Sequence, residues 1–100
     1  MNIVTPKEVY ENAFNHGFHN TITNIPEKLC LIHSEVSEAL EAYRNEIPEG
    51  NNGCMSEELA DIVIRVWDLA YDLDIDIVEA VNKKHTINVT RPYKHGGKRC

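Results

Sequence analysis

The sequence predicts an all-α protein of four helices. Three observations carry that reading: apolar residues recur at three- and four-residue spacing, helix-start signals precede these runs, and no stretch alternates as a strand does. One hundred residues fit a single domain, 1–100. A chain this short buries a modest share of its surface, so a partner subunit is expected to help complete the core.

The first helix is expected to begin near residue 6, with Thr5 as N-cap, Pro6 at the first helical position and Glu8 closing a capping box. Tyr10, Ala13, Phe14 and Phe18 mark its apolar face, and the polar stretch from His19 to Asn24 ends it. Pro26 starts the second helix, with Asn24 or Ile25 at the cap, and the stripe Leu29, Ile32, Val36, Leu40, Tyr43 runs on until Pro48. The cluster from Glu49 to Gly53 is a turn-forming connection between antiparallel neighbours. Ser56 is expected to cap the third helix, which carries apolar residues from Leu59 to Leu73. Asp74 or Asp76 caps a fourth, shorter helix to about His85, and an irregular basic tail is expected from about residue 86.

Hydrophobic residues at 42% and charged residues at 26% place the chain among globular proteins rather than disordered ones. No apolar run is long enough for a membrane span and no leader pattern opens the chain, which points to a cytoplasmic location and no membrane partner. Cys30, Cys54 and Cys100 form no Cys-x-x-Cys pair and read as free thiols. The net charge of −6 is unevenly spread: all sixteen acids lie in residues 1–82, whereas six of the ten bases lie in 83–100. An acidic body repels a long polyanion, so no nucleic-acid polymer is expected as partner. A small phosphorylated ligand held through metal ions is easier to accommodate.

On a helical wheel the second helix has a broad apolar arc holding Leu31, Ile32, Val36, Ala39, Leu40, Ala42 and Tyr43. Glu35 falls inside that arc and Glu38 at its edge. A carboxylate at a core position is costly unless it is paired, protonated or bound to a metal. Two of them three residues apart are surface neighbours and suit a hard cation such as Mg²⁺, which takes a few carboxylates plus water and phosphate oxygens. Glu58 and Asp61 stand at the same spacing on the third helix, in a polar arc with Glu57, Arg65, Asp68 and Asp72. Periodicity alone favours a solvated face for that arc. The apolar remainder of the wheel, with Trp67, Leu69 and Tyr71, is broad enough to pack on two sides, the second being a subunit interface. A ferritin-like di-metal bundle would need Glu-x-x-His pairs, and the chain has none.

Glu35-Val-Ser-Glu38 followed by Glu58-Leu-Ala-Asp61 resembles the signature of the MazG-like all-α nucleoside-triphosphate pyrophosphohydrolases. The likeness runs from Glu27 through the segment Asp74–Ile77 to the stretch Arg91–Gly97, about three-quarters of the chain. It implies a four-helix fold completed as a homodimer or homotetramer. The implied activity is Mg²⁺-dependent hydrolysis of a nucleoside triphosphate, standard or damaged, to the monophosphate and pyrophosphate. In that reading Glu35, Glu38, Glu58 and Asp61 are metal ligands, and Glu35 or Glu38 also serves as base for the attacking water. Lys84, Asn88, Arg91 and Tyr93 correspond to a segment that sits near bound nucleotide in the family. Many relatives extend the first motif by an acid where this chain has Ser34, so a dedicated base at that position is absent. The alternatives are a non-catalytic nucleotide-binding dimer, or a helical assembly module in which Glu35 and Glu38 pair with Lys or Arg.

Overall fold

Four helices make up the computed structural model, which describes residues 3–17 and 24–92; among these no strand occurs. Each helix start is set by local chemistry. Helix α1 (Pro6–Asn15) has the expected capping box, in which Thr5 Oγ1 accepts from the Glu8 amide at 3.2 Å and Glu8 Oε1 accepts from the Thr5 amide at 3.1 Å. In α2 (Ile25–Arg44) the cap is Asn24, whose Oδ1 accepts from the Glu27 amide at 3.1 Å. In α4 (Ile77–Val89) it is Asp76, accepting from the Glu79 amide at 3.0 Å.

Helix α3 (Met55–Asp72) departs from expectation at its start. Ser56 lies inside the first turn, and Cys54 occupies the N-cap without a side-chain cap bond. The orphan amides are served from elsewhere: Glu49 Oε1 accepts from the Ser56 amide at 3.2 Å, and Glu57 Oε1 from that of Gly53 at 3.4 Å. Hydrogen bonds from the Ser56 side chain and backbone hold the Glu49 carboxyl below its ordinary value. Cys54 is fully buried at this corner.

Two helix ends share one device. Helix α2 stops at Arg44, short of Pro48, because Glu46 takes a left-handed conformation (φ 53°) while the Ile47 amide bonds back to the Ala42 carbonyl at 3.2 Å. Helix α3 ends likewise, with Asp74 at φ 60° and the Ile75 amide on the Ala70 carbonyl at 2.8 Å. Both are Schellman closures in which the left-handed residue is not glycine. Helix α4 outruns its expected end near His85 by four residues, so the irregular segment begins after Val89 rather than about residue 86. The Thr86 hydroxyl bonds the Asn82 carbonyl at 3.1 Å, and the Thr90 hydroxyl bonds that of Ile87 at 2.8 Å.

Helix α3 is the hub: it packs most extensively on α2, then on α1, and only lightly on α4. The buried apolar set is small, comprising Val9, Ala39, Ala42, Cys54, Leu69 and Ala70. On α1 it is Val9 that goes deepest, while Phe14 from the expected face stays exposed and Phe18 lies outside the described residues. Three of the seven residues of the α2 apolar arc, Val36, Leu40 and Tyr43, are exposed, as are Leu59 and Val63 of α3. Helix α4 buries none of its residues. A radius of gyration of 16.0 Å, against about 13 Å for a compact chain of this length, agrees with an open arrangement. No helix among the described residues is long and apolar enough to cross a membrane.

Candidate metal centre

The seam between α2 and α3 gathers the acids. Glu35 lies beside Arg65, and Glu38 lies by Glu58, so the two helices run antiparallel across it. Ligand atoms of Glu35, Glu38 and Glu58 all fall within 4.8 Å of one another. That spacing lets carboxylate oxygens converge on one divalent cation. Asp61 lines a cavity of about 450 Å³ together with Glu35, Glu38 and Arg65, and Asn12, Val9 and Ala13 of α1 form another part of its wall. Asp61 thus stands by the other three acids, and its charge is one of those acting on Glu58.

Burial divides the acids more sharply than the wheel does. Glu35, between Ile32 and Ala42 on the wheel, has its side chain 13% exposed, as its place in the apolar arc predicts, and Glu38 is exposed at the edge. Glu58 is half-buried, and its Oε2 is shut away from solvent without a hydrogen-bond partner. An orphaned carboxylate oxygen facing other acids is a costly arrangement that a cation would relieve. Burial pushes the Glu58 carboxyl above its ordinary range, and the charges of Glu38, Asp61 and Glu35 push it the same way.

The solvated-face reading of the α3 polar arc is therefore corrected. Glu57 and Asp61 are exposed, but Glu58, Arg65 and Asp72 are half-buried and Asp68 is only 4% exposed. Helix α3 packs against both α2 and α1, which covers part of this polar side.

Arg65 is the functional candidate that sequence reasoning passed over. Its Nε donates to Glu35 Oε1 at 3.3 Å, in a partly shielded pair that places a fixed positive charge at the edge of the acids. The signal was available: Arg65 follows Asp61 by four residues and Glu58 by seven, which puts all three on one helical face.

The cationic half of the expected site is placed differently. Lys84 and Asn88 are exposed on α4, Arg91 is exposed just beyond it, and none of them lines the cavity of the acids. Tyr93 lies outside the described residues, as do His19, His95 and Cys100. His33 and His85 are exposed. No family model, curated protein or solved structure matches this chain.

Proposed function

We propose that the chain is an Mg²⁺-dependent nucleoside-triphosphate pyrophosphohydrolase of the MazG-like kind, working as a homodimer or homotetramer. The observation that carries the reading is the closeness of Glu35, Glu38 and Glu58, together with the burial of one Glu58 oxygen without a hydrogen-bond partner. Oxygen-only donors in a mixed buried and exposed set suit a hard cation that keeps water and phosphate oxygens in its remaining positions. Mg²⁺ held there would neutralise the phosphates and orient the attacking water.

The chain's own groups fill the remaining roles. Glu38 is the better placed of the two candidate bases, since it faces solvent while Glu35 Oε1 already accepts a bond from Arg65. Glu58 and Asp61 complete the donor set. Lys84 and Asn88 stand on a helix that buries nothing against its own chain, and Arg91 lies just beyond it, so their role as substrate contacts is assigned to an assembled oligomer. The same exposure supports self-association: Val78, Val81 and Ile87 of α4, with Leu59 and Val63 of α3, are apolar side chains without cover in one chain.

The test is a panel of ribo- and deoxyribonucleoside triphosphates incubated with the protein and Mg²⁺, with monophosphate and pyrophosphate measured. Turnover of one or more, lost on chelation, is expected. Tight binding of a triphosphate that stays intact would favour a nucleotide-binding module instead. Absence of both binding and turnover would sink the proposal.

A further inference from the structure

We propose that Arg65 is a positioning residue for the metal ligand Glu35, holding its carboxylate in the orientation that meets the cation. The inference rests on the reading of the α2–α3 seam as a metal centre and adds to it a role for a residue outside the acidic motifs.

A glutamate side chain has three rotatable bonds, and freezing them for metal binding has an entropic cost unless something else already holds the carboxylate. Arg65 supplies that hold. Its Nε–H reaches Glu35 Oε1 at 3.3 Å from the opposite helix. A carboxylate has two oxygens, so this bond leaves the other free to approach Glu38 and Glu58, whose donor atoms lie within 4.8 Å. The pair is shielded on both sides, with Glu35 13% and Arg65 29% exposed, unlike the surface pairs Lys7–Glu11 and Lys83–Glu79, in which all four side chains are more than half exposed. Shielding restricts the alternative rotamers of both partners. Arginine suits the task because its planar group keeps its proton and its donors are fixed in direction.

The arrangement has a cost. A guanidinium beside a divalent cation repels it, so Arg65 would weaken metal binding if charge were its whole effect. The two effects therefore have opposite signs, and a substitution separates them. Binding of Mn²⁺ alone, followed by the loss of free-ion signal in electron paramagnetic resonance, requires no turnover. With R65Q the dissociation constant should rise about tenfold or more, the scale seen when an outer-shell partner of a metal ligand is removed. R65K, which keeps the charge and part of the reach, should fall between R65Q and the wild type. Helical circular dichroism should be unchanged in both, since Arg65 is not a core residue. Equal or tighter Mn²⁺ binding by R65Q would overturn the positioning role while leaving the metal centre standing. No Mn²⁺ binding by the wild-type protein would overturn the metal centre itself and this role with it.

Discussion

The α2–α3 seam and helix α4 carry opposite charges and are packed in opposite ways. In the seam, one Glu58 oxygen is shut away from solvent without a hydrogen-bond partner. On α4, Lys83 and Lys84 stand in solvent beside apolar residues that are equally uncovered, Val81 among them at 57% exposure. The seam has an unmet electrostatic demand within a single chain, which the cation of the proposed function would meet. The helix has exposed apolar side chains, which a second copy of the chain would cover in the proposed oligomer.

The largest expected effect breaks the seam. Glu38→Gln and Asp61→Asn should each abolish triphosphate hydrolysis while leaving the helical spectrum intact. The loss should exceed the roughly 10- to 100-fold that removing an outer-shell partner costs, because a direct ligand is removed. Steady-state pyrophosphate release checks it.

A smaller effect breaks the α4 side. Val81→Glu places a charge in the exposed apolar row and should reduce the solution mass toward that of one chain, read by light scattering. If α4 has no part in assembly, the mass will not change. The smallest effect leaves both regions alone. Glu46 closes α2 in a left-handed conformation that costs a side-chain-bearing residue about 1–2 kcal/mol. Glu46→Gly relieves that cost at some loss of chain entropy, so a net gain of up to about 1 kcal/mol should appear in chemical denaturation, with metal binding unchanged.

Local chemistry made much of the fold legible. Thr5, Asn24 and Asp76 announce their helices because a cap is a contact within four residues. Ser56 misled because the helix begins ahead of it, at Met55, where Glu49 accepts from the Ser56 amide, a solution that depends on how the connection folds back. The end of α2 was placed too late, at Pro48, because Glu46, rather than glycine, takes the left-handed position. Within the candidate site, Glu35 was legible because an acid among apolar positions is conspicuous. Glu58, Arg65 and Asp68 were not, since a wheel assigns a polar arc to solvent and cannot see that α1 and α2 both pack on α3. The uncovered state of α4 could not be read from periodicity, which reports an apolar face without saying what lies against it.

Glu58 offers the most direct test of the central claim. Its folded-state pKa is raised by burial and by the neighbouring acids, so the native state holds this proton more tightly than the unfolded chain does. The sign follows: Glu58 costs the metal-free protein nothing below the ordinary carboxylate range, and an increasing amount as pH rises through its raised value. Thermal melting of the wild-type protein and Glu58→Gln, each with and without saturating Mg²⁺, should therefore show two things. Without metal at neutral pH the variant melts higher, and the gap closes in acid. With Mg²⁺ the wild type gains stability and the variant gains little. A wild-type melting temperature indifferent to Mg²⁺ at neutral pH would contradict the assignment of the Glu35, Glu38 and Glu58 cluster as a metal centre.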